Sequence, residues 1–176
     1  MPRIALEEDQ PFSLDLTLGC GQAFRWDKGN DGWWSGVADR QAIRCRLKGR
    51  TFSFEGADET YIRHYFSLDT DLAAILEAID RDPFIHGVIE RAAGLRLVRQ
   101  PPWECLCSYI CATNTNIPAV RRRVTLLSEQ FGEKIADSGI SGYAFPGPER
   151  IACHDNVECL STCKLGYRAP YVFTSS

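Results

Sequence analysis

Polar and apolar residues alternate with a period near two through the first third of the chain, and from Asp58 the apolar positions recur at helical spacing. The alternating part predicts five strands, over residues 12–18, 22–27, 33–37, 42–46 and 51–54. Turn residues part the later ones: Gly29-Asn30-Asp31-Gly32, Ala38-Asp39-Arg40 and Lys48-Gly49-Arg50. This spacing suits an antiparallel meander with one covered face. In the helical part, Tyr61, Tyr65 and Phe66 share a face, and Asp69 or Thr70 caps a helix carrying Leu72, Ile75, Leu76 and Ile79. Asp82-Pro83 opens another helix, which Gly94 closes. Pro101-Pro102 leads into a helix over 103–112, and a polar loop over 113–116 joins it to a helix over 118–131. That last helix carries the stripe Val120, Val124, Leu127 and Phe131 and ends at Gly132. Residues 143–148 read as loop, 148–165 as one or two helices, and 165–168 as a turn into a further helix. The fold class is α+β: an antiparallel sheet domain over 1–100, then an incomplete helical domain over 101–176.

Within the second predicted strand, Gly21-Gln22-Ala23-Phe24-Arg25-Trp26 places Phe24 and Trp26 on one face with Gln22, and Arg25 on the other. Glycines at 19 and 21 let the backbone approach a neighbour closely. The apolar fraction of 44% and charged fraction of 24% are those of a globular protein. No apolar run is long enough to span a bilayer, and Glu7-Glu8-Asp9 follows the N-terminus where a secretory segment would be hydrophobic. The chain therefore reads as soluble and not secreted, without a membrane partner. Its eight cysteines then read as reduced, packed thiols. Cys153, Cys159 and Cys163 match no common zinc or cluster spacing, so no metal is expected. The net charge of −3 argues against binding nucleic acid by bulk electrostatics. The basic residues are concentrated late, however, with Arg121-Arg122-Arg123 on one helix.

The polar loop Thr113-Asn114-Thr115-Asn116 is the clearest candidate for chemistry. Asn116, before Ile117-Pro118, is explained as a helix N-cap. Asn114 has no such local role, and its carboxamide suits reading the edge of a base. The neighbouring helix N-terminus offers free N–H groups to a phosphate. Asn116, Arg121, Arg122 and Arg123 are the candidate phosphate contacts.

Five pieces occur in an order that resembles the 8-oxoguanine DNA glycosylases. They are Gly21-Gln22-Ala23-Phe24-Arg25-Trp26; Trp34-Ser35-Gly36-Val37; Arg99-Gln100-Pro101 with Glu104-Cys105-Leu106; Ile110-Cys111 to Asn114-Thr115-Asn116-Ile117-Pro118; and Gly166-Tyr167-Arg168-Ala169. The resemblance implies a sheet domain like the TATA-binding protein, followed by the start of the helical glycosylase domain. It also implies base-excision repair of double-stranded DNA carrying 8-oxoguanine opposite cytosine, by a monomeric glycosylase and abasic-site lyase without a cofactor. Its compartment would be the cytoplasm and nucleoid of a prokaryote or the nucleus of a eukaryote. Gly21 resembles the glycine whose carbonyl accepts N7–H of 8-oxoguanine. Asn114 and Arg168 resemble the readers of the orphaned cytosine, and Tyr167 the aromatic wedged into the emptied stack; the plain alternative for Tyr167 is a helix-end aromatic.

Two departures qualify that expectation. Ala119 stands where relatives commonly carry an arginine, and Thr115 lies between the loop asparagines. The helix-hairpin-helix, lysine and aspartate of the family's chemistry would fall after residue 176, and Lys134 and Lys164 match neither motif. No catalytic residue is therefore assigned, and the chain is expected to be inactive alone, with Leu127, Phe131, Tyr171 and Phe173 exposed. The competing readings are a non-catalytic module that binds damaged DNA, a non-functional fragment, and a relative of the alkylated-base glycosylases.

Overall fold

The computed structural model describes residues 1–137 and 140–176. Its elements are, in order, β1 (Arg3–Ala5), α1 (Leu14–Gly19), β2 (Trp26–Lys28), β3 (Trp34–Ala38), β4 (Gln41–Lys48), β5 (Thr51–Glu55), α2 (Glu59–Tyr65), α3 (Leu72–Ile79), α4 (Pro83–Arg91), α5 (Pro102–Ala112), α6 (Ile117–Phe131), β6 (Lys134–Asp137), β7 (Ile140–Tyr143), α7 (Glu149–Ala152) and α8 (Ala169–Ser175), with 3-10 segments at Val157–Cys163 and Gly166–Arg168. Five strands form one sheet in the order β1-β5-β4-β3-β2, and β6 pairs with β7. β5 is antiparallel to β1, with Ile4 opposite Phe52, and to β4, with Cys45 opposite Phe54. The α+β class holds.

Two compact units share the chain. The first takes Met1–Ala23, Lys28–Trp34 and Arg44–Arg99; the second takes Phe24–Asp27, Ser35–Ile43 and Gln100–Ser176. In the first unit an aromatic cluster forms the core. Phe52 meets Phe66 edge-on at 5.2 Å and Phe12 at 5.3 Å, and Tyr65 meets Phe66 at 5.0 Å. The core of the second unit is aliphatic and thiol-rich. Cys107 and Cys111 of α5 pack with Val120, Val124 and Leu127 of α6, and with Ile151, Leu160 and Val172.

Residues 12–18 do not form a strand. Ser13 Oγ accepts from the backbone N–H of Leu16, capping α1, and Leu14, Thr17 and Leu18 are buried at helical spacing. The period-two pattern of Phe12, Leu14, Leu16 and Leu18 is broken by Leu16, which is exposed. Residues 22–25 also lie outside the sheet, and only Trp26–Lys28 pairs as β2. The chain enters from Gly21 at φ +89°, where the residue preceding a regular strand would be extended. The short strand β1 and the hairpin β6–β7 had no alternation long enough to read.

Helix starts follow their caps closely. Asp58, Asp71, Asp82 and Asn116 each accept a backbone N–H at the start of α2, α3, α4 and α6, Asp71 replacing the Asp69 or Thr70 expected for α3. Leu127 and Phe131 are buried, against expectation, because residues 149–172 return over α6; Tyr171 remains exposed.

Candidate nucleic-acid interface

In the first unit, Gly21 occupies a half-buried loop after α1. Its neighbour Gln22 holds that loop. The Gln22 Nε2 amide donates to the carbonyls of Thr17 and Arg96, both at 2.8 Å, and Oε1 accepts from Val98 N–H at 2.9 Å. Arg96 is itself buried, and its guanidinium donates to the carbonyls of Pro11, Ser67 and Thr70 and to Gln10 Oε1. Burial pulls its pKa down, and Asp69 and Asp71 push back. The peptide at Gly21 is thus anchored from both α1 and the 94–99 segment. Gln22→Ala should lower the urea-derived stability by about 2 kcal/mol, because three partly buried groups lose their partner. A loss under about 0.5 kcal/mol would mean that water replaces the amide.

In the second unit, the turn after α5 gathers three of the expected site residues. Asn114 is exposed at φ +46°, and its carboxamide has no partner among the described residues. Tyr167 lies on the facing 3-10 turn, 56% exposed, with its hydroxyl donating to Thr113 O at 3.3 Å. Arg168 is only 5% exposed. Its Nε donates to Thr113 O at 3.1 Å and to Thr113 Oγ1 at 3.2 Å, and Nη2 donates to the carbonyls of Thr113 and of Asn114, the latter at 3.2 Å. Its carbon centre stands 4.4 Å from the Tyr167 ring centroid. Gly21 belongs to the other unit.

The basic run divides three ways. Arg121 pairs with Asp27 at 3.0 Å and donates to Trp26 O. Arg123 donates to Cys111 O at 3.0 Å and Lys164 O at 3.2 Å, satisfying the end of α5. Arg122 alone is exposed and makes no ion pair or hydrogen bond with another described residue. Asn116 spends its Oδ1 on the α6 cap, accepting Ala119 N–H at 3.0 Å.

Two buried groups carried no role in the sequence reading. Arg25 and Glu104 form a two-pronged pair, Nε to Oε1 at 2.6 Å and Nη2 to Oε2 at 2.9 Å, with side chains 7% and 9% exposed. Arg25 Nη1 also donates to Tyr143 O at 2.6 Å. The available signal was an arginine set between Phe24 and Trp26, and a glutamate in the apolar helix around Trp103 and Leu106. Burial raises the Cys107 thiol to about 12; it raises Cys111 to about 11, against the opposing pull of Arg123 and Arg168. Such thiols are held neutral and unreactive. Among the described residues, no group of three or more His, Cys, Asp or Glu could hold a metal ion, and no helix is long and apolar enough to cross a membrane.

The profile of the 8-oxoguanine DNA glycosylase N-terminal domain matches residues 3–106. An N-glycosylase/DNA lyase of Saccharomyces cerevisiae is 30% identical over 125 residues, covering 69% of this chain and 33% of that protein. The structure of MBOgg1 in complex with a low affinity DNA ligand superposes with a TM-score of 0.88 at 30% identity, over 99% of this chain and 64% of that one. The Clostridium acetobutylicum 8-oxoguanine glycosylase/lyase, bound to double-stranded DNA with cytosine opposite 8-oxoG, gives 0.87 at 28% identity, over 93% and 58%. The chain spans about a third to a half of the length of the curated relatives it matches.

Proposed function

The chain belongs to the 8-oxoguanine DNA glycosylase family, and we propose that it carries the damage-recognition elements of a glycosylase and abasic-site lyase acting on 8-oxoguanine opposite cytosine in double-stranded DNA, in base-excision repair. In this reading the lesion is flipped out of the helix, and Tyr167 fills the gap. Unstacking a base costs a few kcal/mol, which an aromatic wedge offsets. The Asn114 carboxamide, carrying both donors and an acceptor, pairs with the cytosine left behind. Gly21 accepts the N7–H of 8-oxoguanine through its carbonyl. Guanine carries a lone pair at N7, so the same carbonyl would face an acceptor and lose about 1–3 kcal/mol. Arg122, with no ion pair or hydrogen bond to another described residue, is the member of the basic run on α6 left to meet a phosphate. The reading gives no catalytic role to Lys134 or Lys164: an amine must attack the sugar C1′ as the base leaves, and neither lies in the recognition motifs.

The single observation that carries this reading is the turn at Thr113, which holds a free carboxamide at Asn114 beside an exposed ring at Tyr167. A fluorescence-anisotropy titration of the 176-residue chain with 8-oxoguanine:cytosine and guanine:cytosine duplexes tests it. The lesion duplex should bind about tenfold tighter, and Asn114→Ala and Tyr167→Ala should each remove most of the preference. Equal affinity for both duplexes at every salt concentration would end the recognition reading. A covalent adduct trapped by borohydride would overturn the assignment of no catalytic amine to this chain.

A further inference from the structure

Three cations gather around one hollow of the first unit. Lys28 of β2, and Arg46 and Lys48 of β4, line a cavity of about 360 Å³ together with Ser13 and Asp15. A hollow of that size suits a small ligand. The one carboxylate cannot offset all three charges. Asp15 Oδ2 accepts from Lys28 Nζ at 2.6 Å, and Oδ1 accepts from Trp34 Nε1 at 2.8 Å. The bond from Lys28, then that from Trp34, holds the Asp15 carboxyl below its usual range, so it stays ionised and is matched by Lys28.

Arg46 and Lys48 are left over. Neither makes an ion pair or a side-chain hydrogen bond with another described residue. Across the sheet they stand opposite Ser53 and Thr51, which carry no charge. Arg44, two residues earlier on the strand, is spent differently, its guanidinium donating to Asp31. Yet Arg46 is no loose surface side chain. Its carbon centre stands 4.7 Å from the Trp33 ring centroid, as does that of Arg44, and Trp33 is only 7% exposed. An indole ring attracts a guanidinium without serving as a hydrogen-bond acceptor for its N–H groups. Arg46 is therefore held half-buried at the cavity, with its fork of donors unspent among the described residues.

Two uncompensated cations on one wall repel each other, and an anion relieves that repulsion. The donor set favours a phosphate. A guanidinium fork meets two of its oxygens, and an ammonium supplies a point charge for a third. Ser13 Oγ accepts the Leu16 N–H at 3.4 Å and keeps its own O–H to donate. A carboxylate offers two oxygens in one plane and would leave part of the set unmet. A nucleobase would need an open aromatic face, which the buried Trp33 does not offer. We propose that this hollow is a phosphate-binding site, in which Arg46 and Lys48 hold the group and Ser13 donates to it. It uses none of the residues read as damage-recognition elements. The phosphate has two possible sources, the backbone of a nucleic acid or a free phosphate compound.

The test is a titration of the 176-residue chain with inorganic phosphate, at ionic strength held constant with sodium chloride, following the Arg46 Nε–H and Lys48 amide resonances. Both should shift and saturate, with a Kd of about 1 mM. Lys48→Gln and Arg46→Gln should each weaken binding about tenfold, and acetate should bind wild type at least about tenfold more weakly. Shifts that stay linear in phosphate, or that acetate reproduces at the same concentrations, overturn the site. Arg46→Gln also gives up the contact with Trp33. If it does not fold, Lys48→Glu takes its place, and saturation at the wild-type concentration then overturns the site. A second arm identifies the source, with an undamaged duplex titrated against wild type and Lys48→Gln over a range of salt. For a backbone phosphate the variant should lose about one unit of salt slope, and inorganic phosphate should compete with the duplex. An unchanged slope, with inorganic phosphate still saturating wild type, supports the site and assigns it to a free phosphate compound.

Discussion

Glu104→Ala should cost the protein about 3–5 kcal/mol, read as a fall in the urea midpoint at unchanged slope. Its carboxylate is the partner of a guanidinium buried with it, and removing either leaves an uncompensated charge in an apolar setting. A loss of that size is a large share of the stability of an ordinary domain. Arg25→Met should be comparably harmful, because it also strands the Tyr143 carbonyl. The pair Arg25→Met with Glu104→Leu should recover most of the loss, since two well-packed apolar groups need no counterion. If Glu104→Ala costs less than about 1 kcal/mol, water reaches the site and the pair is not a buried one.

Gly132→Ala should destabilise by about 3 kcal/mol, measured the same way. Gly132 ends α6, but its φ of −83° is open to any residue. The constraint is space. A methyl group there would be driven into the carbonyl oxygens of Ala144 and Ser128, both backbone atoms that cannot swing aside. Ala144 is also tied to Glu133 by a backbone bond of 2.8 Å, so the segment after β7 cannot simply lift away. Gly19→Ala makes the control: nothing lies within 4 Å of its methyl, and the change should stay within about 1 kcal/mol. Equal effects at the two glycines would show that backbone freedom, and not close approach, governs position 132.

The candidate site was legible in part. Asn114 stood out as a carboxamide in a polar loop, Tyr167 and Arg168 were named only through the family resemblance, and the fold places the three around one turn. What could not be read was how each side chain is spent. Arg121 and Arg123 read as a basic face for phosphates, yet their donors are taken up by Asp27, Trp26, Cys111 and Lys164. Arg168 read as a base contact, and its guanidinium lies under the turn.

Signals that act within a few residues were visible in the chain alone. Asp58, Asp82-Pro83 and Asn116 marked helix starts, Gly132 marked a helix end, and the alternation in β3, β4 and β5 marked strands, because caps, turns and pleats are settled by near neighbours. Tertiary structure decided the rest. Residues 12–18 alternate like a strand, but burial of Leu14, Thr17 and Leu18 makes them a helix. Arg25 finds Glu104 across 79 positions and Arg121 finds Asp27 across 94. A charged side chain takes whichever partner the fold brings within about 3 Å, and desolvation then makes that partner binding or costly. No local pattern encodes that distance.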